Sequence, residues 1–149
     1  MRLGTATALV FSALWLASPA HAATSCDALA THALPQTTIT KAELVAAGAF
    51  VPPGGRAPQG NAARVYQTLP AFCRVALTLR PSSDSDIKTE VWLPASGWNG
   101  KFQAVGNGAF NGTIATNALR TGVQRGYAAA STDTGHTGGS ASFALGHPE

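Results

Sequence analysis

The chain has 149 residues, of which 45% are hydrophobic and 11% are charged, and its formal net charge is +3. An apolar fraction near the globular norm excludes an intrinsically disordered chain. The few basic residues are dispersed along the sequence, which excludes the basic stripe that nucleic-acid binding requires.

Residues 1–22 have the features of a secretory signal peptide. Arg2 supplies the positive start, residues 6–16 (ATALVFSALWL) form the apolar segment, and the small-residue motif Ala-His-Ala ends at Ala22. The apolar segment is too short to span a bilayer comfortably, which favours cleavage after Ala22 over retention as a membrane anchor. We therefore expect residues 23–149 to be secreted or periplasmic, with no membrane association after cleavage.

The mature chain begins with less regular patterns. Residues 25–35 (SCDALATHALP) predict a short helix that ends at the final proline. Residues 37–55 leave two structures open, because Thr40 and Glu43 fit a helix capping box while the neighbouring β-branched residues allow an extended segment. Residues 52–60 (PPGGRAPQG) predict a surface loop.

The cysteines Cys26 and Cys73 are the only two in the chain. An exported protein folds in an oxidising compartment, where an even number of cysteines favours a disulfide. We expect a disulfide between Cys26 and Cys73, and two buried free thiols are the alternative.

Two segments of alternating polarity predict a β-hairpin. They are residues 73–81 (CRVALTLRP) and residues 86–94 (DIKTEVWLP), and a polar turn of sequence SSDS joins them. The apolar residues of the alternation are Val75, Leu77, Leu79, Ile87, Val91 and Leu93.

The next three segments predict a βαβ unit. Residues 101–106 (KFQAVG) lack alternation, which is typical of a strand buried on both faces. Residues 113–126 (TIATNALRTGVQRG) have apolar residues at helical spacing and end in Gly126, a plausible C-cap. Residues 127–132 (YAAAST) are a second apolar run, expected to pair in parallel with the first. An antiparallel hairpin followed by a parallel βαβ unit predicts the mixed sheet of an α/β fold.

The loop inside the βαβ unit is rich in glycine. Residues 106–112 (GNGAFNG) contain three glycines and two asparagines. Such a cluster serves either a tight turn or the close approach of the backbone to another group. Asn111, Gly112 and Thr113 form a glycosylation sequon, which beside a glycine loop we interpret as turn chemistry.

Four segments, in this order, resemble the N-terminal part of the bacterial and fungal tannase and feruloyl esterase family. They are LPAFCRV (69–75), DIKTEVWLPASGWNGKF (86–102), VGNGAFNG (105–112) and GYAAASTDTGH (126–136), and SFALGHPE (142–149) is similar to the family's next segment. The resemblance implies a secreted serine esterase with an α/β-hydrolase fold.

The resemblance also assigns a role to the glycine loop. In α/β-hydrolases one N–H donor of the oxyanion hole comes from the loop after the third strand. By this resemblance the loop comprises Gly106, Asn107, Gly108 and Ala109, and the donor is the backbone N–H of Gly108. Family members usually have Gly-Asn-Gly-Gly here, so Ala109 departs from the pattern.

The family's nucleophilic serine, acid and histidine come later in the chain than any residue present here. The resemblance therefore implies that residues 23–149 are the N-terminal portion of a truncated catalytic domain and are inactive by themselves. It further implies small-molecule esters of aromatic (phenolic) acids as substrates. No metal or cofactor is expected in this segment, although the family's later lid domain often holds a structural calcium.

Other candidate residues have ordinary explanations. Ser140 lacks the closing glycine of a nucleophile elbow and is interpreted as a loop serine. Asp133 and His136 are three residues apart on one loop, too close in sequence to align with a serine as a triad and too few to hold a metal ion. We interpret Asp133 as an acceptor for loop N–H groups and His136 as packing beneath the active-site floor. His32 and His147 have no context that suggests a role.

The alternative function is a non-catalytic, secreted, β-rich binding module. In that case Trp92, Trp98 and Phe110 would form an aromatic platform for a carbohydrate or another cell-wall ligand. Trp92 lies in a predicted strand and is explained equally well by core packing.

Overall fold

A computed structural model of the chain describes residues 24–53 and 60–146. The strands are β1 (Thr37–Val45), β2 (Phe72–Leu79), β3 (Ile87–Pro94), β4 (Phe102–Val105) and β5 (Ala128–Thr132). The helices are α1 (Asn61–Gln67) and α2 (Thr116–Gln124), with short 3-10 helices at Asp27–Thr31 and Ala141–Ala144. The predicted signal peptide, residues 54–59 of the predicted loop and His147 lie outside the described residues. Among the described helices, none is both long and apolar enough to cross a membrane.

The described strands form one mixed sheet in the order β1-β2-β3-β5-β4. The pairs β1–β2, β2–β3 and β3–β5 are antiparallel, whereas β4 and β5 are parallel. In the hairpin Val75 lies opposite Val91, and in the parallel pair Ala104 lies opposite Ala130. The predicted antiparallel hairpin and the predicted βαβ unit are both confirmed.

The ambiguous segment after residue 37 is a strand and not a helix. Residues 37–45 pair with β2 along their whole length, with one register shift between Ile39 and Lys41. Pairing with a long neighbouring strand satisfies the backbone groups of the whole segment, and this outweighs the capping-box pattern of Thr40 and Glu43.

The predicted disulfide between Cys26 and Cys73 is confirmed. The two Cα atoms are 5.6 Å apart, and the bond closes a sequence separation of 47 residues. It joins the segment just before the 3-10 helix Asp27–Thr31 to strand β2, so the short helix found at the predicted position is tied to the sheet.

Aromatic and aliphatic side chains form the core between the sheet, α2 and the segment around Phe50. Phe72 and Trp92 stack with ring centroids 4.4 Å apart, and Phe50 meets Trp92 edge-on at 4.6 Å. Complete burial of such side chains stabilises the fold by about 1.5–3 kcal/mol each. The largest fully buried side chains are Trp92, Phe72, Leu69, Leu119 and Val123.

The face of β2 that carries polar residues is more deeply buried than the alternation indicates. Arg74 is only 8% exposed and Thr78 only 5%. The Arg74 guanidinium donates two hydrogen bonds to the Glu90 carboxylate on β3, which also accepts a 2.7 Å hydrogen bond from the Trp92 indole. Hydrogen bonding to Glu90 raises the pKa of Arg74 above its ordinary value. A charged residue is tolerated here because its partner is buried beside it.

Helix α2 covers the parallel strands and ends as its sequence predicts. Leu119 and Val123 are buried one turn apart, and Gly122 lies against the sheet, where a Cβ would come within 2.9 Å of the Ala129 methyl carbon. Gly126 has φ +77°, its N–H bonds to the Val123 carbonyl, and the following N–H bonds to the Gly122 carbonyl. This pattern is the Schellman motif of a glycine-terminated helix.

The prediction that β4 is buried on both faces is wrong. Phe102 is 62% exposed and Ala104 is also exposed. Within the described residues β4 lies at the edge of the sheet and pairs only with β5. An apolar run without alternation does not reveal whether its strand is central or at an edge.

Candidate active site

The carboxyl ends of the parallel strands β4 and β5 meet at one edge of the sheet. The chain leaves β4 into the glycine loop, residues 106–112, and leaves β5 into a second loop, residues 133–138. Ligands of α/β proteins bind outside the carboxyl ends of parallel strands, so this pair of loops is the natural place for a site.

Three hydrogen bonds connect the glycine loop to the end of β5 and the loop that follows it. The Asn107 side-chain amide donates to the Thr132 carbonyl at 2.8 Å, and His136 Nε2 lies 2.9 Å from the Phe110 carbonyl oxygen. The backbone N–H of Gly112 donates to the Gly138 carbonyl at 2.7 Å. No local sequence pattern predicts these contacts, because their partners are 25 to 26 residues apart.

Gly112 is a glycine for a structural reason. A Cβ at this position would lie 2.3 Å from the backbone oxygen of His136, which no side chain can tolerate. The close approach of the two loops therefore depends on the absence of a side chain at residue 112.

Gly106 and Gly108 differ from Gly112, since nothing in the described fold requires them to be glycine. Neither has a φ in the left-handed region, and a Cβ on either would meet no described atom within 4 Å. A tight turn alone does not account for these two residues.

Ala109 occupies a backbone conformation that favours glycine. Its φ is +51°, in the left-handed region. It lies at the second position of a turn in which the Asn111 N–H donates to the Gly108 carbonyl at 3.1 Å. A glycine would adopt this conformation without strain, whereas the alanine methyl costs about 1–2 kcal/mol.

The backbone N–H groups at the tip of the loop are free to bind another group. No described residue accepts a hydrogen bond from the N–H of Gly108, Ala109 or Phe110. All three residues are exposed. Unpaired amide donors at the end of a strand form a surface that binds oxyanions and carbonyl oxygens.

The interpretation of Asp133 as an acceptor for loop N–H groups is confirmed for Gly135, and an N–H group of strand β3 binds the same carboxylate. Its carboxylate is buried and accepts from the backbone N–H of Lys88 at 2.9 Å and of Gly135 at 2.8 Å. His136 lies beside the glycine loop, with its ring stacked on Phe143 at a centroid distance of 3.8 Å. The structure therefore uses both residues to shape the loop after β5.

Other sequence candidates lie away from the glycine loop or serve local structure. Ser140 caps the 3-10 helix Ala141–Ala144, since its hydroxyl accepts from the Ser142 N–H at 3.2 Å. His32 is exposed beside the first 3-10 helix. The Asn111 amide bonds to the Thr113 hydroxyl at 3.0 Å, a contact within the turn.

The proposed aromatic platform does not exist as a unit. Trp98 and Phe110 are exposed by 61% and 56%, but Trp92 is completely buried in the core and donates its indole N–H to Glu90. Including Trp92 in a ligand-binding surface is therefore wrong, and its strand position reflects packing.

A polar groove of about 580 Å³ lies next to the second loop, between the β2–β3 turn and the 3-10 helix Ala141–Ala144. It includes His136 but none of Gly106, Asn107, Gly108 and Ala109. The Lys88 ammonium, hydrogen-bonded to Asp86 in this groove, lowers the pKa of that carboxyl below its ordinary value, and Arg80 adds to the effect. Among the described residues, no three His, Cys, Asp or Glu side chains are grouped so as to hold a metal ion.

Comparison with known proteins identifies the chain's relatives. The family model described as tannase and feruloyl esterase matches residues 73–149, which include both loops. The chain belongs to the tannase and feruloyl esterase family. The resemblance seen in the four sequence segments is thereby confirmed.

Individual relatives agree with this assignment. An uncharacterized esterase of Xanthomonas campestris is 46% identical over 90% of this chain and 22% of its own length. A probable feruloyl esterase B-1 of Aspergillus terreus is 35% identical over 79% of this chain and 22% of its own length. The chain thus spans about a fifth of the length of these curated relatives.

The fold agrees as well. The crystal structure of feruloyl esterase B from Aspergillus oryzae superposes with a TM-score of 0.64 at 28% identity, covering 76% of this chain and 22% of that one. The mixed sheet with an antiparallel hairpin and a parallel βαβ unit is therefore an arrangement that a family member also has.

Proposed function

We propose that the gene product containing this chain hydrolyses carboxylic esters and that the backbone N–H of Gly108 donates to the oxyanion. Gly106, Asn107 and Ala109 form the rest of this loop. The observation that carries the proposal is the set of exposed amides at the carboxyl end of β4 that bond to no described residue, in a chain of the tannase and feruloyl esterase family.

The chemistry of ester cleavage explains why such donors matter. A nucleophilic serine, activated by a histidine, attacks the acyl carbonyl, and its oxygen becomes an oxyanion in the tetrahedral intermediate. Fixed N–H donors stabilise that charge more than they stabilise the neutral ester, which lowers the barrier. We place the serine, the acid and the histidine beyond residue 149, so that residues 1–149 alone would not hydrolyse esters.

The names of the relatives support the proposed substrate class. Those named as feruloyl esterases include fungal proteins at 28% to 40% identity. We therefore propose small-molecule esters of aromatic (phenolic) acids as substrates. Residues 23–149 would be the N-terminal portion of the catalytic domain of an exported enzyme, with the signal peptide cleaved after Ala22 and any structural calcium held by a lid domain outside this segment.

The non-catalytic binding module is less well supported. One of its three platform residues, Trp92, is completely buried, and neither Trp98 nor Phe110 lines the polar groove of about 580 Å³ beside the second loop.

The test compares Gly108→Ala with Gly139→Ala in the full-length gene product. Both glycines lack a positive φ and have no described atom within 4 Å of an added Cβ, so both variants should fold normally. We expect Gly108→Ala to lower kcat/KM for a ferulate ester by about 10²-fold, because the methyl group hinders the approach of the ester oxygen to the amide. Gly139→Ala should leave hydrolysis unchanged.

Two results would contradict the proposal. If the wild-type protein cleaves no aromatic ester, the proposed activity is wrong. If it cleaves the ester and Gly108→Ala does so equally well, the activity stands but the assignment of Gly108 does not.

A further inference from the structure

The backbone amides at the tip of the glycine loop need a fixed orientation in order to stabilise an oxyanion. Oxyanion stabilisation depends on donors that already have the right orientation when charge develops. A Cβ added to Gly106 or Gly108 would have no described atom within 4 Å, so packing around these positions does not fix the backbone. Glycine also has the greatest backbone freedom of any residue. Some contact outside the tip must therefore hold it in place.

Two side-chain hydrogen bonds flank the segment Gly108–Ala109. On its N-terminal side the Asn107 amide donates to the Thr132 carbonyl, where β5 ends, at 2.8 Å. On its C-terminal side His136 Nε2 binds the Phe110 carbonyl at 2.9 Å. The segment that presents the free amides is thus anchored immediately before and immediately after.

His136 is itself held in a defined orientation. Its ring stacks on Phe143 with an angle of 8° between the planes, and its Nδ1 lies 3.3 Å from the Thr134 hydroxyl. Since a carbonyl oxygen only accepts hydrogen bonds, Nε2 must carry the proton that is shared with Phe110. The backbone N–H of His136 also lies 3.4 Å from the carbonyl oxygen of Asp133.

Asp133 connects this arrangement to the centre of the sheet. Its carboxylate binds the backbone N–H of Lys88 on β3, and its own N–H donates to the Lys88 carbonyl at 3.0 Å. A continuous series of contacts therefore runs from the antiparallel strands through Asp133 and His136 to the carbonyl of Phe110.

We propose that His136 and Asn107 are positioning residues for ester hydrolysis. They orient the amides of Gly108 and Ala109 through the backbone and make no contact with the substrate. This inference rests on the proposed function, since it assigns a role in the same reaction.

The principal test uses three histidine variants of the full-length gene product. His136→Phe keeps a planar ring that can stack on Phe143 but has no N–H donor, whereas His136→Gln provides an amide donor of similar reach. His32→Phe is the matched control, because His32 is exposed and its side chain bonds to no described residue.

We expect His136→Phe to lower kcat for a ferulate ester by at least about tenfold, with KM and the melting temperature nearly unchanged, because displaced donors weaken only the transition state. His136→Gln should recover most of the lost kcat. His32→Phe should match the wild type in both kcat and melting temperature.

A second pair of variants tests the other anchor and remains available if His136→Phe does not fold. Asn107→Asp has nearly the same shape but lacks the N–H group that binds the Thr132 carbonyl. It should lower kcat to a similar extent with little effect on KM. Asn117→Asp, an exposed position on α2, is its control and should keep the wild-type kcat.

The outcomes separate this inference from the proposed function. Absence of ester hydrolysis in the wild type would overturn both. If the wild type is active, the positioning role is overturned by a wild-type kcat in His136→Phe and Asn107→Asp. It is equally overturned if kcat falls only in proportion to the folded fraction, or if His136→Gln is no better than His136→Phe.

Discussion

The antiparallel side of the sheet, strands β1 to β3, and the loop side, β4 with the glycine loop, differ in how extensively their polar groups and strands are paired. Strands β1 to β3 pair over eight or nine residues each, carry the disulfide and enclose the buried ion pair of Arg74 and Glu90. Strand β4 has four residues, its Phe102 is exposed, and the loop after it has unpaired N–H groups within the described residues. The comparison shows an extensively paired antiparallel scaffold that supports a loop whose donors bond to no described residue, which is how proteins commonly position functional groups.

The polar groups on the two sides also differ. On the antiparallel side both oxygens of the Glu90 carboxylate accept hydrogen bonds, from Arg74 and Trp92. Glu43 lies 3.5 Å from the Arg74 guanidinium. On the loop side the donors of Gly108 and Ala109 have no acceptor among the described residues. Removing a hydrogen-bond partner should therefore lower the stability of the fold on the antiparallel side and the activity on the loop side.

The largest expected effect on stability is that of Glu90→Ala. It leaves the Arg74 guanidinium buried without its main partner and removes the acceptor for the Trp92 indole. We expect a loss of about 3–5 kcal/mol in the free energy of unfolding, measured by urea denaturation. Asp86→Ala, which breaks exposed ion pairs just before the same strand, is the control and should shift the melting temperature little. Equal effects of the two variants would contradict the comparison.

A smaller effect of opposite sign is expected at the loop. Ala109→Gly should raise the free energy of unfolding by about 0.5–1 kcal/mol, because the strain relieved at φ +51° exceeds the extra conformational entropy that glycine loses on folding. The same replacement within helix α2, Ala118→Gly, should lower it by about 1 kcal/mol. Thermal melts of both variants test whether the melting temperature rises in Ala109→Gly and falls in Ala118→Gly. Destabilisation by Ala109→Gly would show that the loop does not keep this conformation.

The smallest effect concerns the exposed carboxylate of Asp86, which lies 2.7 Å from the Lys88 ammonium and 3.2 Å from the Arg80 guanidinium. Its pKa in the folded state is lowered, so its contribution to stability is present above the unfolded pKa of about 4 and disappears as pH falls through the folded pKa. The melting temperature of the wild type should slightly exceed that of Asp86→Asn at pH 6, with the difference shrinking below pH 4 and in high salt. A difference in melting temperature that grows on acidification would contradict the lowered pKa of Asp86.

Much of the architecture could be predicted from local patterns. The alternation in residues 73–81 and 86–94 gave the hairpin, and the helical spacing that ends at Gly126 gave α2 and its C-terminal motif. Helix α1 was missed, because it has seven residues and no side-chain cap at its start. The role of the glycine loop remains a prediction, which the family assignment and the unpaired amides support.

Sequence by itself determined the hairpin, the βαβ unit and the family and favoured the cysteine pairing, because each depends on residue types at short or characteristic spacing. Only the tertiary structure decided that Arg74 and Trp92 are buried together, that β4 lies at the edge of the described sheet, and that His136 reaches Phe110. These features join residues from separate strands and loops, and the free energy of such contacts depends on distances and burial that no local pattern of residues encodes.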